Sequence, residues 1–353
     1  MSLPRLPLKT PAAILVDQRQ PLVLDEVELP QLGYGQVLVE VAVSRICGSQ
    51  IGEIDGVKGP DRFLPHMLGH EGSGTVLETG PEVRHVKAGD RVVLHWRPGL
   101  GIESRPSLYS WRGQRCNAGC ITTFNRYAVV SENRLTPVPA GTDHEVGALL
   151  ADTLTTGFGV INHDAQVRIG ESVVVIGCGG IGLGVILGAK LAGAYPIIAV
   201  DLHDHKLAKA REYGATHTIN SSKEDFATAS EAILQGKADV VIDGTAQPAV
   251  LEKAFGLAGP KGRCVVFGVM AHDRKISLNT LPLHFGKTLT GSHGGGSEPA
   301  YDIPRYLRMM AGGGFDPRGM ISHRVRLEDI NDTIARMRSG EVIHAMIHFS
   351  STS

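Results

Sequence analysis

The sequence predicts an α/β protein in which a doubly wound parallel-sheet domain is inserted into a second, β-rich domain. Short valine-rich runs fill the first part of the chain, whereas strand and helix patterns alternate from about residue 154 onward. A glycine-rich turn at 177–182 lies in mid-chain, with about 170 residues before it. We therefore expect one domain at 1–153 plus 294–353 and the inserted domain at 154–293.

The length and composition are typical of a soluble enzyme with two cores. The chain has 353 residues, 20% charged residues and a formal net charge of −1. This balance argues against nucleic acid or an anionic membrane as a partner. We find no signal-peptide pattern and no membrane-spanning stretch. The five cysteines are irregularly spaced and do not indicate a disulfide framework. We expect a cytoplasmic protein.

The first part of the chain consists of short runs separated by Gly, Pro and Asp turn signals. Strands are predicted at 13–16, 37–43, 74–78, 91–95 and 126–130. Residues 97–117 combine Arg, Pro, Gly and Trp111 without a regular pattern, so we expect an irregular surface loop or lobe there.

From residue 172 the pattern is that of alternating strands and helices. Strands are predicted at 172–176, 196–200, 216–219, 239–243 and 263–267, and helices at 181–193, 204–213 and 248–258. Asp204 can cap the second of these helices and Gly214 can end it. After residue 290 we expect helices at 301–311 and near 327–338, then a strand at 345–349 that returns to the first domain.

The glycine turn predicts a dinucleotide site. Gly177, Gly179 and Gly182 follow a strand and open a helix, with Gly180 and Ile181 between them. Such glycines permit a tight turn, close approach of the backbone to a pyrophosphate, and close packing of helix on strand. The phosphates lie at the helix N-terminus, where free N–H groups favour negative charge.

Asp201 ends the next strand, where a carboxylate hydrogen-bonds the adenosine ribose of NAD and repels a 2′-phosphate. Leu202 follows it in place of an arginine. We therefore predict NAD, with Leu202 and Val269 among its contacts. His203, His205 and Lys206 are nearby cationic candidates that keep NADP as an alternative.

Cys47 and the adjacent pair His70 and Glu71 offer a thiolate, an imidazole and a carboxylate. Zinc binds all three groups, and a catalytic zinc site uses three protein ligands and one open position. Spacing alone is weak evidence, because an isolated cysteine or histidine is more often part of a core.

Taken together, the motifs resemble those of the zinc-dependent alcohol dehydrogenases, in the medium-chain dehydrogenase/reductase superfamily. The resemblance covers nearly the whole chain and rests on Cys47-Gly-Ser49, Gly69-His70-Glu71-Gly72, Asp152-Thr-Leu-Thr-Thr156-Gly157 and the glycine turn. It implies a GroES-like catalytic domain that contains an inserted Rossmann cofactor domain.

The resemblance implies that Cys47, His70 and Asp152 bind one catalytic zinc, with Glu71 as an exchangeable fourth ligand or a neighbour. Asp152 stands where relatives often have cysteine, and its alternative role is the N-cap of the following helix. Ser49 matches the hydroxyl that takes the proton of the alcohol.

The implied reaction is hydride transfer between an alcohol or polyol and NAD, with zinc polarising the substrate oxygen as a Lewis acid. Thr156 matches a residue beside the nicotinamide. His344 replaces a common arginine near the pyrophosphate, or is a plain surface histidine. We expect a homodimer or homotetramer that acts on a small alcohol or carbonyl compound. Two alternatives are a zinc-free quinone or enone reductase and a non-catalytic dinucleotide-binding redox sensor.

Three positions depart from the family pattern. Residues 97–120 contain only Cys116 and Cys120, too few for a four-cysteine site, so we expect no structural zinc. Gln50 replaces an aspartate that orients the zinc-bound histidine; its amide oxygen can accept the same hydrogen bond but brings no charge. Gly52 replaces a histidine of the proton relay, which leaves the proton exit route open.

The region 96–120 is rich in arginine and tryptophan and has two possible roles. It either packs on itself or contacts the substrate or a second subunit. Trp96 and the stretch near Trp111 are candidates for the wall of a substrate pocket, but they do not identify the substrate.

Overall fold

The computed structural model describes residues 9–349. Within that range the chain up to Ala151 contains ten strands and two α-helices. The strands are β1 Lys9–Leu15, β2 Val23–Glu28, β3 Gln36–Arg45, β4 His66–Met67, β5 Glu71–Thr79, β6 Arg91–His95, β7 Leu108–Trp111, β8 Gln114–Asn117, β9 Tyr127–Ser131 and β10 Leu135–Pro137. The helices are α1 Gly48–Ile54 and α2 His144–Ala151.

The middle of the chain alternates helices with six strands. The helices are α3 Thr153–Gly159, α4 Gly180–Leu191, α5 Asp204–Tyr213, α6 Phe226–Leu234 and α7 Pro248–Leu257. The strands are β11 Val173–Ile176, β12 Ile197–Asp201, β13 His217–Asn220, β14 Ala238–Asp243, β15 Ala258–Val266 and β16 Thr288–Gly291. A π-helical turn at Val160–Asp164 extends α3.

The last part contains α8 Pro299–Ala311, β17 His323–Val325, α9 Ile330–Arg338 and β18 Ala345–His348. Short 3₁₀ turns occur at Glu132–Arg134, Leu281–Phe285, Gly294–Gly296, Arg318–Met320 and Leu327–Asp329. No helix in the range 9–349 is long and apolar enough to cross a bilayer.

Contacts divide the chain into two compact units. One contains the residues up to Ala151 and those from Glu298 onward, and the other contains Asp152–Ser297. The predicted boundaries at 153/154 and 293/294 differ from these by a few residues. The shift places Asp152 and the 3₁₀ turn at Gly294–Gly296 in the second unit.

The first unit is the β-rich one. Strands β1, β2, β7, β8 and β4 close a small barrel, and a second sheet has the order β10-β6-β5-β3-β18-β17, with β9 also paired to β3. The returning strand β18 pairs antiparallel with β3, as Met346 opposite Arg45 shows. Valines on β3, β5, β6 and β9 form the core beneath this sheet.

The second unit is a six-stranded sheet with the order β13-β12-β11-β14-β15-β16. All five pairings are parallel, which is the doubly wound order of dinucleotide-binding sheets. Strand β11 is buried at all four positions, as a strand covered by helices on both faces requires. The order reverses between β11 and β14, so the glycine turn that follows β11 lies where such sheets bind ligands.

The prediction of an irregular stretch at 97–117 was wrong for its second half. Strands β7 and β8 form a hairpin there, and Arg112 and Gly113, both with positive φ, make its two-residue turn. Trp111 is buried, its Nε1–H donates to Asp25 Oδ2 at 2.9 Å, and the Arg112 guanidinium lies 4.7 Å from the Trp111 ring centre. This part of the region packs on its own barrel.

Helix α5 begins and ends where the sequence predicts, but Asp204 does not cap it. His203 is the N-cap residue, without a capping side-chain hydrogen bond. The Asp204 carboxylate instead accepts from Asn220 Nδ2 at 2.6 Å and from Lys223 Nζ at 2.7 Å. Gly214 ends the helix with φ of 127°, a conformation that favours glycine.

Candidate metal and cofactor site

Cys47 lies at the junction between a strand and a helix. Strand β3 ends at Arg45, and Cys47 is the N-cap residue of α1, with extended backbone angles (φ −96°, ψ 150°). The side chain of Gln50 reaches back to the Cys47 backbone while the Cys47 side chain faces the N–H of Gln50. This reciprocal arrangement, a capping box, fixes the direction of the thiol.

His70 and Glu71 lie at the start of β5. Gly69 precedes them with φ of 95°, and a Cβ at that position would lie 2.4 Å from Thr123 Oγ1. The Ser44 hydroxyl donates to the Glu71 carbonyl at 3.1 Å. Close packing and backbone hydrogen bonds therefore hold this pair beside the end of β3.

Asp152 directly follows α2, which packs against β5. The approach of α2 to β5 is close, because a Cβ on Gly147 would lie 2.7 Å from Ser73 Oγ. Asp152 occupies the N-cap position of α3, but its side chain makes no capping bond. Its Oδ1 instead accepts the hydroxyl of Thr156 at 2.6 Å, so the simple N-cap role does not account for this carboxylate.

One potential ligand atom from each of Cys47, His70, Glu71 and Asp152 lies within 4.8 Å of the others. Over residues 9–349 this is the one group of His, Cys, Asp and Glu side chains close enough to hold a metal ion. A thiolate, an imidazole and carboxylates are the ligand types that zinc prefers. The donor set therefore fits a zinc ion.

Arg45 was not anticipated from the sequence. It is 2% exposed, and its Nε lies 3.3 Å from Glu71 Oε2. The other carboxylate oxygen of Glu71 lies 3.9 Å from His70 Nε2. An arginine at the end of the largely buried strand β3 is the signal that could have revealed this buried ion pair, because such a charge needs a partner.

Ser49 lies in the first turn of α1. Its Oγ is buried and has no hydrogen-bond partner among the described residues. A buried hydroxyl normally has a partner, so Ser49 Oγ is a candidate to contact a bound ligand.

The glycine turn connects β11 to α4: Gly177 and Gly179 precede the helix, and Gly180, Ile181 and Gly182 form its first turn. Gly177 has φ of 95°, and a Cβ on Gly182 would lie 1.9 Å from the Gly177 carbonyl oxygen. Gly179, the N-cap residue of α4, has no atom within 4 Å of the place a Cβ would occupy. The fold itself requires Gly177 and Gly182, whereas the open space at Gly179 is available to a phosphate.

Asp201 ends β12 and faces this turn. Its Oδ2 accepts the backbone N–H of Cys178 at 2.8 Å, and its Oδ1 accepts the N–H of His203 at 3.0 Å. Leu202 and Val269 are 58% and 56% exposed. Exposed apolar side chains next to a binding loop are suited to cover a flat ring.

The remaining candidates are also placed by the structure. Thr156 is buried on α3 and orients the Asp152 carboxylate, a contact that the sequence did not indicate. His344 is 0% exposed, so the alternative of a surface histidine is wrong. Trp96 is half-buried. Burial raises the pKa of the Cys116 thiol to about 11, and the half-buried Cys120 Sγ lies 3.8 Å from the Ser104 carbonyl.

Comparison with known proteins places the chain in a family. Residues 33–140 match the alcohol dehydrogenase GroES-like domain, and residues 180–312 match the zinc-binding dehydrogenase family. An alcohol dehydrogenase class-3 from Cereibacter sphaeroides is 31% identical and aligns over 97% of this chain and 100% of its own length. The chain belongs to the zinc-dependent alcohol dehydrogenase family.

Solved structures of this family share the fold. An alcohol dehydrogenase zinc-binding domain protein from Burkholderia ambifaria has a TM-score of 0.88 at 28% identity, over 97% of this chain and 99% of that one. Benzyl alcohol dehydrogenase from Acinetobacter calcoaceticus has a TM-score of 0.87 at 26% identity, with the same coverage. The predicted fold class and the family resemblance are confirmed, and the chain is a family enzyme, an oxidoreductase acting on alcohols.

Proposed function

We propose that this alcohol dehydrogenase binds one zinc ion through Cys47, His70 and Asp152, with Glu71 as an exchangeable fourth ligand, and oxidises an alcohol or polyol with NAD. The approach of these four groups to within 4.8 Å is the observation that carries the proposal. A zinc-free reductase and a non-catalytic sensor would have no use for this donor set.

When bound, zinc supplies Lewis acidity to the substrate oxygen and NAD accepts the hydride. The protein's own residues hold and orient these groups. Thr156 donates to Asp152 and thereby directs the second carboxylate oxygen, and the buried Arg45 holds Glu71 by one oxygen. Both contacts restrict the carboxylates to a narrow range of positions.

Ser49 provides the first acceptor for the substrate proton. Its Oγ has no partner among residues 9–349, so it can accept a hydrogen bond from the substrate hydroxyl and pass its own proton on. Gly52 supplies no side chain for a second step. The next acceptor of the proton is therefore not a side chain at position 52.

The cofactor preference follows from Asp201. Its carboxylate is fixed beside the glycine turn by two backbone N–H groups, which keeps a negative charge where a 2′-phosphate would lie. Repulsion between this carboxylate and the 2′-phosphate would disfavour NADP. Gly179 leaves room for the pyrophosphate, and Leu202, Val269 and Thr156 complete the contacts we assign to NAD.

The names of two relatives support alcohols as the substrate class. Benzyl alcohol is named for one structural neighbour, and class-3 alcohol dehydrogenase is the name of a sequence relative. We assign Trp96 to the wall of the alcohol pocket, because it is half-buried directly after β6.

A homodimer or homotetramer without a structural zinc is the assembly we expect.

A steady-state panel of primary, secondary and aromatic alcohols and polyols tests this proposal. We expect reduced NAD to form with at least one alcohol, and kcat/KM with NAD to exceed that with NADP at least tenfold. Asp201→Ala reduces this ratio because the repelling charge is gone, whereas Asp204→Ala, which removes a nearby carboxylate bound to Lys223, preserves it. A wild-type preference for NADP would overturn the cofactor assignment.

A further inference from the structure

We infer that Gln50 opposes metal binding by His70, because its amide holds the imidazole in the tautomer that keeps a proton on the metal-facing nitrogen. The inference rests on the proposed zinc site and concerns how tightly that site holds its ion. The expected role of Gln50 was different: its amide oxygen was to accept a hydrogen bond from the imidazole.

The orientation of the Gln50 amide is fixed by the backbone. Gln50 is 1% exposed, and its Oε1 accepts the N–H of Cys47 at 3.2 Å. This contact belongs to the capping box of α1. A backbone N–H can only donate, so it requires the amide oxygen and excludes the amide nitrogen.

The amide nitrogen is consequently directed at His70. Gln50 Nε2 lies 3.0 Å from His70 Nδ1. An amide nitrogen donates and cannot accept, so Nδ1 must be the acceptor and the ring proton of a neutral imidazole lies on Nε2. Nε2 is the nitrogen on the side of Glu71, with 3.9 Å between it and Glu71 Oε1.

A metal ligand needs the opposite tautomer. Zinc requires the lone pair of Nε2, so the ring proton moves to Nδ1. The Nδ1–H of His70 then faces the amide NH₂ of Gln50, and both groups are donors. Turning the amide over satisfies Nδ1–H but sets the amide NH₂ against the Cys47 N–H. In either orientation one hydrogen bond is lost when the metal binds, so Gln50 lowers the zinc affinity.

Two substitutions at this position test the inference without relying on activity. Gln50→Glu offers one oxygen to the Cys47 N–H and the other to His70 Nδ1–H, so zinc should bind about 10- to 100-fold more tightly. Gln50→Leu removes the opposing donor without adding charge. In this variant the Cys47 N–H and His70 Nδ1 lose the contact with Gln50 both with and without metal. Metal binding therefore breaks no hydrogen bond there, and zinc should bind about fivefold more tightly than in wild type, which corresponds to one hydrogen bond.

Competition with a chromophoric chelator at fixed pH measures the zinc dissociation constants of the metal-free full-length proteins. Gln20→Glu makes the same chemical change on the surface and should leave the constant unchanged, because Gln20 is exposed. Thermal unfolding of each metal-free variant identifies one that fails to fold. If only Gln50→Leu fails to fold, the comparison of Gln50→Glu with wild type decides.

A dissociation constant for Gln50→Leu that is higher than that of wild type would show that the amide supports His70 and would overturn the inference. An unchanged or weakened affinity in Gln50→Glu would also overturn it. Cys47→Ala tests the proposed zinc site separately from the role of Gln50. If this substitution leaves the zinc dissociation constant unchanged, the zinc site itself is contradicted.

Discussion

At the residue scale, Glu71 shows how the site depends on its neighbours. It is fully buried, with Arg45 on one oxygen and His70 near the other. Burying a carboxylate costs several kcal/mol unless a counter-charge and hydrogen bonds compensate it. The Arg45 guanidinium provides that compensation, and it also restrains Glu71 from moving fully to a metal.

The individual site residues could be predicted only in part. Cys47, His70 and Asp152 are separated by more than twenty residues each, so no helix or strand period relates them. Their proximity depends on a strand end, a glycine-bounded strand start and the end of a helix that packs on that strand. Family resemblance supplied the proposed ligand set, whereas the orientation of the Gln50 amide and the Arg45 contact required the three-dimensional structure.

His95, opposite Glu71 across β5 and β6, leads to a prediction on pH and stability. Burial lowers its pKa from 6.5 to about 4, and its ring is held by the Arg97 carbonyl and Thr136. The unfolded chain binds this proton below pH 6.5, whereas the folded chain binds it only near pH 4. Stability from His95 is therefore complete above pH 6.5 and declines as the pH falls toward 4.

Urea unfolding at pH 7 and pH 5 checks this. The wild type should lose about 2 kcal/mol more free energy of unfolding between these pH values than His95→Asn, whose amide can still donate to Arg97. Equal losses in the two proteins would contradict the assignment of a neutral, buried imidazole.

At the scale of elements, the sequence predicted strands and helices best where their period was long enough to read. Strand β6 and helix α5 have the predicted bounds. Helix α1, with seven residues, and the short strands β4, β10 and β17 were missed because they span too few turns or alternations. The hairpin at 108–117 was missed although its Arg-Gly turn was a signal, because each of its strands has only four residues.

The glycine turn yields a prediction that separates folding from binding. Gly182→Ala places a Cβ 1.9 Å from the Gly177 carbonyl oxygen and should destabilise the second unit by about 1–3 kcal/mol. Gly179→Ala meets no atom within 4 Å and should change the unfolding free energy by less than about 1 kcal/mol. It should nevertheless weaken NAD binding at least tenfold, because the methyl group takes the space of a phosphate.

Thermal unfolding and calorimetric titration with NAD measure the two effects. Gly256→Ala is a suitable control, because no atom lies within 4 Å of its Cβ position and the glycine is exposed, far along the chain from the turn. If Gly179→Ala binds NAD as tightly as the wild type, the glycine turn is not part of the cofactor site.

At the scale of the whole molecule, the fold class could be predicted because the two units differ in pattern. Period-two valine runs indicate the β-rich unit, and strand–helix alternation indicates the doubly wound one. The unit boundaries could not be fixed to the residue, since Asp152 and the turn at 294–296 contain no periodic signal. Substrate identity depends on the shape of a pocket wall, which residue types alone do not define.

The central claim is that one zinc ion, held by Cys47, His70 and Asp152, makes this chain an alcohol dehydrogenase. Elemental analysis of the purified protein, made alongside the same analysis of Cys47→Ala, tests it most directly. We predict about one zinc per chain in the wild type and loss of both zinc and NAD-dependent alcohol oxidation in the variant. A metal-free Cys47→Ala protein that oxidises alcohol at the wild-type rate would contradict the account.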